Sequence, residues 1–289
     1  MRMINRSGAT NPLMPDGVEV VAADASDPEQ ALTAARGAGV VYQALNPRYH
    51  RWPQEFPALQ AAALAAAEQT GARYVSIDNL YMYGRVAGPI RPDTPEQPHT
   101  VKGRLRAAMA QEVLAAHAAG RVEAVIVRSS DYYGPAVTGS ALGERTFRPL
   151  IAGKAAEVLG SADKVHSFAY IEDVARTAAL LGCRPEATGR VWFTPHAPAL
   201  TQRETLAPAF EYVGTQPRLR VMSGAVMRLG GLFIPEARAG VEMLYEFTEP
   251  FQVDSSATEL AFGITATPIA EGMRRTVDFY RGLADSVAQ

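Results

Sequence analysis

Residues 18–44 read VEVVAADASDPEQALTAARGAGVVYQA, and their pattern decides the fold. "VEVVAAD" (18–24) is a β-branched run that stops at a turn. Asp27 then stands where a helix N-cap belongs, with Pro28 at the first helical position. An alanine-rich stretch follows, and "GVVYQAL" (39–45) is the next strand. Strand, helix and strand in so short a space make a βαβ unit, the repeat of a parallel sheet.

The pattern continues on both sides. Arg2–Asn5 is a strand upstream. Downstream come an alanine-rich helix at about 57–70, the strand "ARYVSI" (72–77) and the helix "GRLRAAMAQEVLAAHAAG", closed by Gly120. "VEAVIVRSS" (122–130) is almost wholly apolar before its polar end, as suits a strand covered on both faces. Beyond Gly134-Pro135 the loops lengthen, and helical patches ("RTFRPLIAGK", "IEDVARTAALLG") mix with short strands ("RVWFTP"). Two more helices are expected at about 202–213 and 269–282. The expected fold is α/β, a Rossmann-like doubly wound parallel sheet with a smaller α+β C-terminal lobe. Residues 1–135, joined again by 165–195, form the expected nucleotide-binding core; 136–164 and 196–289 form the substrate lobe.

Bulk properties narrow the function. The 289 residues suffice for one large or two modest domains, and 47% hydrophobic and 20% charged residues are ordinary for a globular protein. A net charge of −2 points to neither nucleic acid nor an anionic membrane as partner. Only three lysines occur (Lys102, Lys154, Lys164), so arginine supplies nearly all the positive charge. The single Cys183 excludes an internal disulfide framework, and Arg2, Asn5 and Arg6 stand where a signal peptide needs apolar residues. A cytoplasmic protein is expected.

Five stretches, in order, carry a resemblance. Residues 18–44 resemble a third strand, helix and fourth strand of the extended short-chain dehydrogenase/reductases, the NAD-dependent epimerase/dehydratase group. "RYVSIDNLYMYG" resembles its strand ending in a Ser-rich segment and Tyr-Gly, and "VIVRSSDYYGP" its Arg-Pro-x-x-x-Tyr-Gly-Pro segment. "HSFAYIEDVARTAALL" resembles its Phe-x-Tyr-Val-x-Asp-Val-Ala segment, and "TPIAEGMRRTVDFYR" its closing helix. Each piece alone is a weak signal; their order over almost the whole chain is a strong one.

Against that frame "SGAT" (7–10) is not a phosphate loop. It precedes Asp24 too closely, so "RMINRSG" matches the family's second strand and its exit; no G-x-G-x-x-G or G-x-x-G-x-x-G occurs. The first strand and its glycine-rich turn are therefore missing. That strand is central in a doubly wound sheet. With strands about 4.8 Å apart, its loss leaves a gap of roughly 10 Å lined by unpaired backbone. Three alternatives follow: Met1 is an internal position of a longer chain, the second and fourth family strands pair directly, or the N-terminal segment is loose. The first is favoured, and reading the genomic codons upstream of Met1 tests it.

The resemblance implies nucleotide contacts from Asn5, Arg6 and Ser7 at the strand exit, from Asp24 and Ala25, and from Ala44, Leu45 and Ser76. Ser129 and Ser130 match positions beside the nicotinamide. With Arg6 and no acid before Asp16, NADP is the expected cofactor, with NAD possible. Asp24 is equally a turn or cap residue, and Arg128 equally a structural ion-pair partner.

The family's proton chemistry needs Ser or Thr, Tyr and Lys, the last two four apart on one helical face. No Y-x-x-x-K exists here, and no tyrosine lies between Tyr83 and Tyr132. The Ser slot falls on Asp78 or Asn79, the Tyr slot near Lys102–Arg104, and the Lys slot near Arg106–Ala108. Tyr81 could replace the missing acid, with Lys102 or Arg106 lowering its pKa; the alternative is that Tyr81 and Tyr83 are packing residues. His50, Trp52, Tyr83 and Tyr132 are candidate substrate contacts. Asp173 is expected to cap the helix that follows it. The histidines lack metal-ligand spacing, so no metal is expected.

The expectation is therefore an enzyme of atypical active site, an NAD(P)-dependent oxidoreductase or epimerase acting on a sugar nucleotide or other small hydroxyl or carbonyl compound. The alternatives are a non-catalytic NADP-binding or ligand-sensing protein, or a truncated chain. A homodimer is possible through the small-residue faces "QAAALAAAEQ" and "RLRAAMAQEVLAAH".

Overall fold

The computed structural model describes residues 1–11 and 13–287; positions 288–289, the end of the expected substrate lobe, lie outside them. The chain divides into two compact units. One comprises Met1–Ile77, Ala107–Ile126 and Leu180–Arg190; the other comprises Asp78–Arg106, Val127–Ala179 and the remainder from Val191.

The first unit contains β1 (Arg2–Asn5), β2 (Glu19–Ala22), α1 (Pro28–Ala35), β3 (Val40–Gln43), α2 (Trp52–Thr70) and most of β4 (Arg73–Asp78). Most of α3 (Val101–Ala118) and the start of β5 (Ala124–Arg128) also belong to it. Asp27 caps α1 as expected, its carboxylate accepting from the N–H groups of Glu29 and Gln30. The helix α2 begins at Trp52, earlier than the expected 57. Pro53 costs nothing in a first turn, and Trp52 and Phe56 meet edge to face one helical turn apart at 5.1 Å, extending the helix past Pro57. Helices α1 and α2 pack through Ala31, Ala35, Ala62 and Ala66, whose small side chains permit close approach.

Strands β1 and β2 are parallel, with Arg2 opposite Glu19 and Asn5 opposite Ala22. They form a separate sheet. The central sheet has the order β10–β5–β4–β3, with β10 at Val191–Phe193. β3 and β4 are parallel, pairing Val40 with Arg73 and Gln43 with Ser76. Direct pairing of β1 with β3, one of the alternatives above, is not formed among the described residues. The N-terminal segment is nonetheless held: Arg2 pairs with Glu19 at 2.9 Å and donates to the Ala34 carbonyl at 2.7 Å.

The second unit continues with β6 (Tyr132–Tyr133), α4 (Glu144–Ile151), β7 (Ala156–Leu159), β8 (Val165–His166), β9 (Ala169–Tyr170) and α5 (Ile171–Gly182). After β10 come β11 (Leu200–Thr201), α6 (Gln202–Val213), β12 (Leu219–Met222), α7 (Gly224–Gly230), α8 (Pro235–Gly240), α9 (Tyr245–Thr248), α10 (Ser256–Phe262) and α11 (Ile269–Val287). Its core gathers Phe147, Leu150, Val158, Leu206, Phe210, Met273, Val277 and Tyr280, all buried. Asp173 does not cap α5. It lies inside the first turn, where its carboxylate accepts from Thr267 N at 2.6 Å and Thr267 Oγ1 at 2.7 Å, tying a distant loop to the helix.

Candidate functional site

Strand β4 ends at Asp78 and β5 at Arg128, and the second unit joins these ends through Ser129 N donating to the Asp78 carbonyl at 3.1 Å. The carboxyl ends of such strands are where α/β sheets receive ligands. What the chain puts there is charge. Asp78, with 2% side-chain exposure, accepts from Arg106 Nε at 2.7 Å and from Arg128 Nε at 3.1 Å. Arg106 Nη2 also closes on Asp78. Arg128, only 1% exposed, extends the network to Glu96 at 2.8 Å and to the Tyr83 hydroxyl at 2.7 Å. The Asp78 carboxylate accepts hydrogen bonds from both guanidiniums, but Arg cannot give up a proton in a protein.

The candidate acids follow from this. Burial first, against the pull of Arg128, pushes the Tyr83 phenol up to about 12. Tyr83 thus accepts a hydrogen bond from Arg128 and holds its own proton at neutral pH. Tyr132 is likewise raised to about 12, mainly by burial. Tyr81 sits half-buried in a 3₁₀ turn, its N–H held at 3.2 Å by Asn79 Oδ1, so Asn79 shapes the turn. Gly84 closes that turn at φ 67°, a left-handed backbone suited to glycine. Lys102 is buried, with Nζ at 2.7 Å from Glu242 and 2.8 Å from the Ala239 carbonyl.

Two histidines that sequence reading did not select stand beside the same strand end. Ser130 Oγ lies 2.9 Å from His196 Nε2, while His196 Nδ1 faces the Thr194 carbonyl at 2.6 Å. The carbonyl can only accept, so Nδ1 carries the proton and Nε2 offers its lone pair to the Ser130 hydroxyl. Burial lowers the His196 pKa to about 4, outweighing that carbonyl bond, and the ring is neutral. Ser129 Oγ is bonded to Thr194 Oγ1 at 2.7 Å.

His166 differs. Its Nδ1 faces the Glu246 carbonyl at 2.9 Å and its Nε2 faces Asp131 Oδ2 at 3.1 Å, so both ring nitrogens meet an oxygen. Phe247 and Phe251 stack on the ring at 4.6 and 5.0 Å. The Glu246 carboxyl is buried beside it and raised well above the usual range, by desolvation first and then by Asp131. A neutral imidazole on a serine, a second imidazole between Asp131 and the Glu246 carbonyl, and a carboxyl whose burial favours its protonated form make a buried polar cluster. Only a three-dimensional contact could reveal it, because its members lie 35 to 80 positions apart.

The candidate nucleotide residues of the first unit are Asn5, Arg6, Ser7, Asp24, Ala25, Ala44, Leu45 and Ser76. Asn5 Nδ2 donates to the Ala9 carbonyl and its Oδ1 accepts from Ser7, so "NRSGA" is a self-closed turn. Gly8 adopts φ 66°, and among the described residues from there to β2 no helix forms. A phosphate cradle needs free N–H groups at a helix start. The turn leads into no such start, and α1 has its own occupied by Asp27, with Pro28 lacking an N–H. Arg6 and Ala44 are exposed and Ser76 is buried. Hydrogen bonds from Ser26, and to a lesser extent Arg6, hold Asp24 below the usual carboxylate range. Among the described residues this segment thus brings together a cation, Arg6, a carboxylate, Asp24, and a polar turn. Trp52 is buried, with its indole N–H on Asn46 Oδ1 at 3.0 Å, and His50 is half-buried in the preceding turn. Among the described residues no group of three or more His, Cys, Asp or Glu could hold a metal, and no helix is long and apolar enough to cross a membrane.

The profile of the NAD dependent epimerase/dehydratase family matches residues 6–192. No curated protein matches the sequence significantly. Among solved structures the chain resembles a dTDP-glucose 4,6-dehydratase double mutant from Streptomyces venezuelae with NAD bound. The two share 18% identity and a TM-score of 0.74, over 97% of this chain and 87% of that one. A UDP-glucose 4-epimerase from Thermus thermophilus in complex with NAD gives 17% identity and 0.74, over 97% and 91%. A UDP-glucuronic acid 4-epimerase from Bacillus cereus in complex with NAD gives 14% and 0.71, over 93% and 83%. The chain thus has the Rossmann-like α/β fold.

Proposed function

The chain belongs to the NAD dependent epimerase/dehydratase family, and from that premise we propose an NAD(P)-linked oxidoreductase or epimerase-like protein acting on a sugar nucleotide or another small hydroxyl or carbonyl compound. The observation that carries this reading is the polar cluster at the carboxyl ends of β4 and β5, where Ser130 with His196 and Asp131 with His166 can hold and move protons. These pairs stand in for the absent Y-x-x-x-K. Ser130 Oγ gives or takes a proton through His196 Nε2, and Asp131 does so with His166. Asp78, bound by Arg106 and Arg128, fixes the strand end rather than exchanging protons; Asn79 and Lys102 position the neighbouring turn and helix, and Tyr81 remains a candidate contact. Tyr83 and Tyr132 in the second unit, and His50 and Trp52 in the first, are each proposed as substrate contacts.

A nicotinamide, when bound, supplies hydride acceptance and return. In the first unit Arg6, Asn5 and Ser7, with Asp24 and Ala25, would hold the dinucleotide's adenosine end, with Ala44, Leu45 and Ser76 as further contacts; Ser129 and Ser130 are the second unit's proposed contacts. Arg6 favours the 2′-phosphate of NADP, although the solved relatives named above carry NAD. We retain residues 1–135 with 165–195 as the nucleotide core and 136–164 with 196–289 as the substrate lobe.

One observation favours a second reading, a non-catalytic nucleotide-binding or sensing protein. The buried ion network of Asp78, Arg106 and Arg128 falls on the expected Ser and Lys slots. Calorimetric titration with NADP and NAD, followed by UDP- and dTDP-sugar turnover assays, separates the readings. Binding with turnover supports the enzyme, binding without turnover the sensor. No binding of either nucleotide overturns both for this chain.

A further inference from the structure

The segment from Arg218 to Gly240 stands apart from the rest of the surface. Val226, Leu229, Leu232, Phe233 and Ile234 are 45%, 67%, 73%, 85% and 48% exposed, so large apolar side chains crowd one helix–turn–helix. Scattered exposed apolar residues need no explanation, but a contiguous patch does. Arg228 and Arg238 on its helices are exposed beside the one acid there, Glu236, and at the preceding strand Arg218 and Arg220 are exposed too, with Arg220 3.6 Å from Glu157, so arginines outnumber acids. The patch is therefore cationic on a chain whose net charge is −2.

The base of this hairpin is anchored. Glu242 accepts from Lys102 Nζ and from Val101 N, both at 2.7 Å, and Met243, Leu244 and Tyr245 are buried. Gly231 lies tight against Arg238, locking α7 to α8. The fold thus holds the hairpin at its base while leaving "LFI" (232–234) uncovered.

We propose that the α7–α8 hairpin docks this protein on the surface of an anionic phospholipid bilayer. An apolar tip between arginines is the arrangement of an interfacial anchor, the tip entering the acyl boundary and the guanidiniums meeting lipid phosphates. A second copy is the poorer occupant. A two-fold contact would set this arginine-rich patch against itself, and a protruding tip needs a matched pocket in a protein but none in a fluid bilayer. Binding is peripheral and salt-dependent.

The test is flotation of the full chain with vesicles of phosphatidylcholine alone or mixed equally with phosphatidylglycerol. The chain should float with the mixed vesicles, weaken with added salt and not float with phosphatidylcholine alone. Leu232→Ser/Phe233→Ser should abolish flotation. Arg228→Gln/Arg238→Gln should weaken it about tenfold or more. Both variants change exposed side chains, so an unchanged melting temperature checks their folding. Absence of wild-type flotation, or flotation indifferent to both variants, overturns the proposal. A concentration-dependent dimer lost in the Leu232→Ser/Phe233→Ser variant, without lipid binding, assigns the surface to a second copy instead.

Discussion

Replacing Asp78 by Asn should cost this protein a large part of its stability. The carboxylate lies between two guanidiniums, and the side-chain exposures of Asp78, Arg106 and Arg128 are 2%, 3% and 1%, so water cannot take its place. Removing one partner of a buried ion pair costs about 3–5 kcal/mol, because the remaining charge stays buried without its counterion. Glu96 offsets part of this for Arg128, but it is 28% exposed and its attraction is partly screened. Set against a typical total of about 5–15 kcal/mol, the loss is about a fifth or more. At roughly 2–4 °C per kcal/mol for a domain of this scale, melting should fall by roughly 6–20 °C. Urea denaturation followed by circular dichroism gives the free energy, and a thermal scan gives the melting shift. Glu96→Gln is the control and should cost no more than about 1 kcal/mol. Adding Arg106→Met to Asp78→Asn should cost less than the sum of the two single changes, because the second change removes a charge that the first stranded. An Asp78→Asn variant within about 1 kcal/mol of wild type, or strict additivity with Arg106→Met, would refute the reasoning.

The buried titrating groups make opposite predictions with pH. His196 is depressed from 6.5 to about 4, so between those values the unfolded chain binds the extra proton and stability falls as pH drops. At pH 5 the loss should be about 2 kcal/mol relative to neutral pH; denaturation of wild type and His196→Asn at both pH values checks it, and an imidazole titrating near its ordinary value would contradict it. Glu246 is raised, so its contribution is full below the unfolded value of 4.5 and declines as pH rises toward the folded value. The neutral isostere Glu246→Gln should therefore gain on wild type by about 1.4 kcal/mol per pH unit on the alkaline side, and a pH-independent difference would argue against a protonated Glu246.

Much of the fold was legible because its signals are local. The alternation of β-branched and alanine-rich stretches, Asp27 before Pro28, and the ordered pieces from 18 to 281 each involve neighbours in sequence. So do the lack of a glycine-rich motif and of Y-x-x-x-K. The site was legible only in part. Sequence reading selected Asp78, but that it accepts from Arg106 and Arg128, 28 and 50 positions away, depends on where the strands and helix meet. The acidic and basic residues of that network look no different in sequence from solvated ones; burial makes them a fixed unit.

His166, His196 and Glu246 lay outside the reading for the same reason. A histidine's role is set by what faces each ring nitrogen, and the partners here lie up to 80 positions away. Phe233 and Phe247 are the same residue type fourteen positions apart, yet one is 85% exposed and the other 4%. Composition determined the amount of apolar surface, and periodicity determined the elements that carry it. Which apolar side chains face water, which charges lose it and which groups face each histidine nitrogen were decided by tertiary packing. These properties depend on the local dielectric and on hydrogen-bond partners brought together from distant parts of the chain.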